Sequence, residues 1–197
     1  IKPDFADAHY NLGLTFQELN QFDNAVKSYE MSLSIHSNYA KAHNNLGIIY
    51  KELGQMNDAV KSYNKALRID PDYAEVHNNL GNTLRELGKF KEAETSYRKA
   101  IAIRLNYAEP HYNLGKTLEK LNRIDDAKLF YRKAISIKPD YVDAYNNMGI
   151  TFRNQGNLLE SIESFNKGLQ IKPDYIEILS NLGISLLDLG RLEEAQK

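Results

Sequence analysis

The chain has 197 residues, and its 25 basic and 26 acidic side chains give a formal net charge of −1 at pH 7. Such a balance creates no overall field that would attract nucleic acid or an anionic membrane, and no apolar run approaches the ~18 residues of a membrane span. The absence of cysteine excludes disulfides and thiolate metal sites.

A glycine recurs every 34 residues from one end of the chain to the other. Leucine, or Met148 in one copy, precedes each glycine, and asparagine stands one position earlier. A strict period of this size indicates one array of stacked repeats instead of ordinary globular domains. We expect a repeat tail at 1–5, repeats at 6–39, 40–73, 74–107, 108–141 and 142–175, and a truncated repeat at 176–197. The recurring glycines are Gly13, Gly47, Gly81, Gly115, Gly149 and Gly183.

The first half of repeat 74–107 has the pattern of an amphipathic helix. Asp72 and Glu75 have the spacing of a helix N-cap and a carboxylate at the third helical position. Leu80 and Leu84 follow at helical spacing, and Gly88 is expected to end the helix in a left-handed conformation. Glycine or asparagine fills the same place in the other repeats, at Asn20, Gly54, Asn122, Gly156 and Gly190.

The second half of the repeat predicts another helix, which begins near Lys91 and carries Ala93, Tyr97 and Ala100 at helical spacing. We expect the small Ala93 to lie opposite Gly81, so that two antiparallel helices approach closely. Each repeat is therefore predicted to be a helical hairpin. In the repeat 142–175, Gly168 replaces an alanine and is expected to loosen its helix by ~1 kcal/mol.

The set Leu80-Gly81, Ala93, Tyr97 and Ala100 resembles the tetratricopeptide repeat family, and the likeness extends over essentially the whole chain. It implies an all-α fold, a right-handed α-solenoid of stacked antiparallel helix pairs with a 34-residue repeat. In that family the concave groove usually binds peptides. Histidines occupy a place that the family usually gives to a large aromatic residue, and we interpret them as core residues. They are His9, His43, His77 and His111.

The recurring asparagine lies about 100° from the core leucine on a helical wheel, on a mostly polar face. Neighbouring repeats stack about 8–10 Å apart and an extended peptide advances ~3.3 Å per residue, so one asparagine would meet roughly every third ligand residue. A carboxamide can pair with both polar groups of a peptide bond. The repeats of O-linked N-acetylglucosamine transferases are similar and carry such a ladder. The asparagine ladder is Asn11, Asn45, Asn79, Asn113, Asn147 and Asn181.

An alternative interpretation is that these asparagines form hydrogen bonds between neighbouring helices, and the sequence leaves both possibilities open. Further candidate peptide-binding residues share the ladder's polar face. They are Lys51, Asn82, Arg85, Lys116 and Arg153.

No catalytic, phosphate-binding or metal-binding motif occurs, so we expect no enzymatic activity in this segment and no cofactor. The favoured function is a scaffold that binds an extended segment of another protein, with no nucleic acid or membrane partner. An alternative is the substrate-recruiting arm of a larger transferase, similar to O-linked N-acetylglucosamine transferases or of another kind. End-to-end self-association through apolar faces such as Leu182, Leu186 and Leu189 is a third expectation. The sequence does not determine the compartment, and a cytoplasmic location is favoured.

Overall fold

The computed structural model describes residues 4–190, and within that range the chain forms eleven α-helices and no strand. Each of the five full repeats contributes two helices of similar length, as the period predicts, and the described part of the truncated repeat contributes one. The helices are α1 (Asp4–Glu18), α2 (Phe22–Ile35), α3 (Ala40–Glu52), α4 (Met56–Ile69), α5 (Ala74–Glu86), α6 (Phe90–Ile103), α7 (Ala108–Lys120), α8 (Ile124–Ile137), α9 (Val142–Asn154), α10 (Leu158–Ile171) and α11 (Ile176–Asp188).

The helices belong to two units, the first ending at Leu105 and the second beginning at Asn106. In the first unit α1 packs on α2, α3 on α4 and α5 on α6, and in addition α2 contacts α3 and α4 contacts α5. The second unit repeats this arrangement with α7 on α8, α9 on α10, and α11 packed on both α9 and α10. Short connections between packed helices make the pairs antiparallel. Each unit is thus an all-α solenoid of helix pairs, as predicted.

The predicted helix ends are confirmed, whereas the predicted N-caps are wrong. Gly88 has φ of 74° and Asn122 has φ of 57°, the left-handed conformation that stops a helix. The residue at the N-cap position of α5, however, is Tyr73 and not Asp72, and no side chain forms a capping hydrogen bond at this end of the helix. Instead, the Asp70 carboxylate accepts the backbone N–H of Asp72 at 3.2 Å and closes the preceding turn.

The carboxylates predicted to act with those caps pair with other side chains. Glu75 accepts a hydrogen bond from the Arg104 guanidinium at 2.6 Å. Its counterpart Asp143 accepts one from the Tyr175 hydroxyl at 2.7 Å. These carboxylates therefore connect neighbouring helices within a unit and do not close a capping box.

Five of the six recurring glycines, all except Gly183, pack against an aromatic ring on the second helix of the pair. A Cβ atom added to Gly81 would lie 2.6 Å from Cε1 of Tyr97, a ring that is fully buried. The sequence-based interpretation assigned this closeness to Ala93; the structure places the Tyr97 ring against the glycine. Gly149 has the same relation to Phe165, with a Cβ-to-Cε1 distance of 2.5 Å. In these helix pairs an aromatic ring therefore packs directly against the glycine backbone.

The apolar positions predicted to drive self-association are not all exposed. Leu186 is buried, while Leu182 and Leu189 are half-buried. The exposed apolar side chains of α11 are instead Ile176, Leu179, Ile184 and Leu187.

The interpretation of the repeated histidines as core residues is confirmed for His43, His77 and His111, which are buried. His9 is half-buried. The Nε2 of His43 donates to the Ser37 carbonyl oxygen at 3.2 Å, and the Nε2 of His77 donates to the Pro71 carbonyl oxygen at 2.9 Å. Burial lowers the pKa of both imidazoles, so both rings are neutral at pH 7.

Acidification is expected to lower the melting temperature partly through His43 and His77. Their pKa is lowered in the folded protein, so the unfolded chain takes up more protons as the pH falls below about 6.5. Their contribution to the free energy of unfolding is therefore complete above that pH and decreases below it. We expect the double variant His43→Gln/His77→Gln to show a smaller fall in melting temperature between about pH 7.5 and about pH 5.5 than the unchanged protein. An equal fall in both proteins would contradict this assignment.

Candidate peptide-binding face

The asparagine ladder lies on the first helix of every pair, two residues before the glycine that packs on the aromatic ring. From Asn45 to Asn181 its members are half-buried, and Asn11 is exposed. Their backbone carbonyls recurrently accept a hydrogen bond from a threonine four residues later, as Asn79 does from Thr83 Oγ1 at 3.0 Å. The helical backbone and the glycine contact together fix the position of each carboxamide.

In the first unit the ladder carboxamides donate hydrogen bonds to the preceding repeat. Asn45 Nδ2 lies 3.2 Å from the Tyr10 hydroxyl and 3.3 Å from the Tyr29 hydroxyl. Burial raises the pKa of Tyr29 to about 12, so its hydroxyl keeps its proton and donates to Gln17 at 2.9 Å. Asn79 Nδ2 donates to Asn44 Oδ1 at 3.2 Å.

The second unit has the same pairing. Asn147 Nδ2 donates to the Tyr112 hydroxyl at 2.7 Å, and Asn181 Nδ2 donates to Asn146 Oδ1 at 3.0 Å. Asn146 is oriented in turn by its own donation to Glu177 at 2.9 Å. In four of these pairs the acceptor stands just before the ladder asparagine of the preceding repeat; these acceptors are Tyr10, Asn44, Tyr112 and Asn146. The ladder therefore joins neighbouring first helices, which is the alternative interpretation left open by the sequence.

This linkage uses the N–H side of the carboxamides and leaves acceptors on the same face. Within residues 4–190, the Oδ1 atoms of Asn79, Asn147 and Asn181 receive no hydrogen bond from the protein. A carboxamide oxygen held in this way can accept an N–H from a ligand at little further cost in side-chain entropy.

The position four residues after the glycine distinguishes the repeats from one another. Lys51 Nζ lies 2.8 Å from Glu86 Oε1. Glu119 accepts hydrogen bonds from the Tyr131 hydroxyl at 2.9 Å and from the Thr151 hydroxyl. These polar groups therefore have partners inside the fold.

Arg85 and Arg153 occupy this same position and have buried donors without an acceptor. The unpaired donors are the Nε of Arg85 and the Nη1 of Arg153, which have no hydrogen-bond partner within residues 4–190. In another repeat the aromatic hydroxyl donates to an acceptor at this position, as Tyr131 does to Glu119, whereas the Tyr97 hydroxyl donates to Asn82 at 2.8 Å and Phe165 has no hydroxyl. A buried N–H without an acceptor is unfavourable by about 1–3 kcal/mol. The sequence predicts both arginines as peptide-binding residues, but it does not predict that each has an unpaired donor.

The other candidate residues have roles within the fold. Asn82 accepts the Tyr97 hydroxyl, and Lys51 pairs with Glu86. Lys116 Nζ lies 5.2 Å from the centre of the Tyr112 ring, a cation–π contact. Asn113 lies half-buried on α7, where its carbonyl accepts from Thr117 Oγ1 at 2.8 Å.

Among the described residues, no helix has the length and apolarity to cross a membrane. The same part of the chain holds no group of three histidine, cysteine or acidic side chains arranged for a metal ion.

Successive helix pairs with a recurrent polar face define a helical-repeat protein, a class that binds partners along extended surfaces. Comparison with family profiles matches the tetratricopeptide repeat over residues 4–72, 38–106, 73–140, 142–175 and 177–196. The chain therefore belongs to the tetratricopeptide repeat family. A search of characterised proteins by sequence gives no match.

Several solved structures share this fold. The crystal structure of a MamA protein is 28% identical, with a TM-score of 0.78 over 89% of this chain and 97% of that one. PilF of Pseudomonas aeruginosa is 19% identical, with a TM-score of 0.86 over 98% of this chain and 88% of that one. YrrB, described as a TPR protein with an unusual peptide-binding site, is 24% identical, with a TM-score of 0.73 over 87% and 89% of the two chains. The last two similarities concern the fold alone.

Proposed function

We propose that the chain is a protein-interaction scaffold that binds an extended peptide on the face carrying the asparagine ladder. The observation that carries this proposal is the buried and unpartnered N–H of Arg85 in the first unit and of Arg153 in the second. Each stands four residues after a packed glycine, where other repeats have an internally satisfied side chain. A ligand carbonyl oxygen would satisfy each donor.

The ladder supplies the complementary half of such an interface. The Oδ1 atoms of Asn79 and Asn147 accept no hydrogen bond from the described residues, and the Nδ2 hydrogen bonds of the same carboxamides orient them. A peptide presents an N–H and a carbonyl oxygen at every residue except proline, so oriented acceptors and donors suit its backbone independently of sequence. The same face could serve as a substrate-recruiting arm of a larger transferase.

Removing either arginine is expected to weaken peptide binding without weakening the fold. In Arg85→Leu and Arg153→Leu, a buried unsatisfied donor is replaced by an apolar group, so the free energy of unfolding should stay equal or rise by up to about 1 kcal/mol. Affinity for a fluorescein-labelled pool of random 12-residue peptides should fall by about 5- to 10-fold, which corresponds to one lost hydrogen bond. Fluorescence anisotropy and urea denaturation measure the two quantities.

Lys51→Met is the matched control, because Lys51 occupies the same position but is paired with Glu86. Its substitution should leave peptide affinity within about twofold, since an exposed ion pair contributes little. Unchanged affinity in both arginine variants would contradict the proposal.

The triple variant Asn45→Ala/Asn79→Ala/Asn147→Ala tests the ladder itself. Loss of its inter-repeat hydrogen bonds should lower the free energy of unfolding by ~1 kcal/mol per asparagine, and peptide affinity should fall as well. Reduced stability with unchanged affinity would show that the ladder is purely structural.

A further inference from the structure

A groove of about 740 Å³ lies between α2 and α4, and its wall contains none of the ladder asparagines. We call it the α2–α4 groove. Its volume is within the 300–1,000 Å³ that is usual for ligand sites. Its floor includes Leu46, which is buried, and its walls include the half-buried Leu33 and Ile69. The groove can therefore take up apolar side chains.

The charges of the α2–α4 groove are unequally compensated. Lys61 Nζ lies 2.8 Å from Asp58 Oδ1, and Glu30 accepts the Tyr50 hydroxyl at 3.4 Å. Lys65 and Arg68 also line the groove, three residues apart on α4, and neither has a salt bridge within the described structure. Both cations are close enough to His43 on α3 to contribute to the lowering of its pKa, after burial. Two exposed positive charges thus act on an apolar groove.

A second groove, of about 620 Å³, lies one repeat further along the same unit, between α4 and α6. We call it the α4–α6 groove. It has Lys99 and His77 at the positions that correspond to Lys65 and His43, and Asp72 contributes one opposing charge. Arg68 lines both grooves, so they adjoin at this side chain. Repeats about 8–10 Å apart correspond to about three residues of an extended chain.

We propose that the α2–α4 and α4–α6 grooves form a second docking site, for an acidic extended segment of a partner protein. One carboxylate would lie beside Lys65 and Arg68, which are a single helical turn apart, and another, three residues further along the segment, would lie at Lys99. Apolar side chains between the carboxylates would enter the grooves. Charge complementarity selects this occupant: four cations and three carboxylates line the two grooves, and Lys65, Arg68 and Lys99 have no salt bridge within the described residues, so an acidic segment would supply their counter-charges. The site is independent of the ladder face.

The test uses a fluorescein-labelled 12-residue peptide with glutamate at every third position and leucine between glutamates. A peptide with lysine in place of each glutamate is the ligand control. Anisotropy at low salt should show binding of the acidic peptide only. Lys65→Glu/Arg68→Glu should weaken binding at least tenfold, and added salt should weaken it in the unchanged protein. All the substituted side chains are exposed, so thermal melting should be unaltered.

Lys133→Glu is the matched protein control, because Lys133 is the counterpart of Lys65 and Lys99 on α8 of the second unit. It should bind the acidic peptide as the unchanged protein does, and so should Arg85→Leu. The ring resonances of His43 should shift on binding, and its pKa should rise because a carboxylate offsets Lys65 and Arg68.

Three results would overturn the proposal. They are an equal loss of binding in Lys133→Glu, an undisturbed His43, and equal competition by inorganic phosphate or a single-stranded oligonucleotide. The last of these would show a general anion site and not a peptide site. If Arg85→Leu alone lost the peptide, the binding would belong to the ladder face, which would support the proposed function and overturn this inference.

Discussion

Gly81→Ala is expected to lower the free energy of unfolding by about 1–3 kcal/mol, although alanine is the better helix former. The new Cβ would meet the Tyr97 ring, at 2.6 Å from Cε1 and 2.8 Å from Cδ1. Because Tyr97 is fully buried and its hydroxyl is bonded to Asn82, the ring cannot move away without breaking other contacts. Overpacking therefore outweighs the ~1 kcal/mol gain in helix propensity.

Gly183→Ala provides the opposite expectation at the same place in a repeat. Gly183 lies within α11, and a Cβ added there meets no atom of residues 4–190 within 4 Å. Only helix propensity then acts, so this variant should be more stable by up to about 1 kcal/mol. Urea denaturation of the two variants measures both signs, and a stabilised Gly81→Ala would contradict the packing argument.

A second substitution tests the cause directly. In Gly81→Ala/Tyr97→Leu, the smaller side chain makes room for the Cβ, so the effect of Gly81→Ala should become smaller when it is measured in the Tyr97→Leu background. An effect of equal size in both backgrounds would place the strain elsewhere.

Features encoded within a few residues could be predicted from the sequence. The helical hairpins and the left-handed stops at Gly88 and Asn122 depend on local periodicity and on residues that tolerate positive φ. The N-cap at Asp72 was a local prediction too, but it was wrong, because the helix begins one residue later, after Tyr73. Boundaries of this kind are set by how the junction packs as well as by sequence.

Features that depend on distant residues could not be derived from one repeat. Gly81 is fitted to Tyr97, 16 positions later in the sequence, and Asn147 is bonded to Tyr112, 35 positions earlier. Helical periodicity predicts which residues share the polar face. Which of their polar groups have a hydrogen-bond partner, however, depends on the neighbouring repeat. Arg85 and Lys51 occupy equivalent positions, but the Nε of Arg85 has no acceptor within the described residues, whereas Lys51 Nζ is paired with Glu86.

The ladder consequently has two separable parts. Its N–H groups hold neighbouring first helices together, as Asn181 does with Asn146. The Oδ1 atoms of Asn79, Asn147 and Asn181 accept no hydrogen bond from the described residues, and in our proposal they act on a ligand together with the unpaired donors of the two arginines. A substitution that removes a whole asparagine disturbs both parts, whereas a substitution of either arginine disturbs one. The arginines are therefore the sharper test of binding.

The side chain of Ile178 on α11 fills the space that is left because Gly168 on α10 has no side chain. A Cβ on Gly168 would lie 2.6 Å from Cδ1 of Ile178, which is fully buried. In the preceding repeat the corresponding positions are Ala134 and Ala144, so a small residue on α8 stands with a small residue on α9. The glycine in α10, expected from the sequence simply to loosen its helix, is thus matched to a larger neighbour on α11.

Ile178→Ala is expected to lower the free energy of unfolding by about 2–5 kcal/mol, because it leaves a cavity beside Gly168. Gly168→Ala alone should cost about 1–3 kcal/mol from overpacking, partly offset by ~1 kcal/mol of helix propensity. The double variant restores the alanine pair of the preceding repeat, and so should be more stable than the sum of the single effects predicts, by about 0.5–3 kcal/mol. Urea denaturation of the four proteins gives this coupling free energy, and strictly additive effects would show that the two side chains do not share the space.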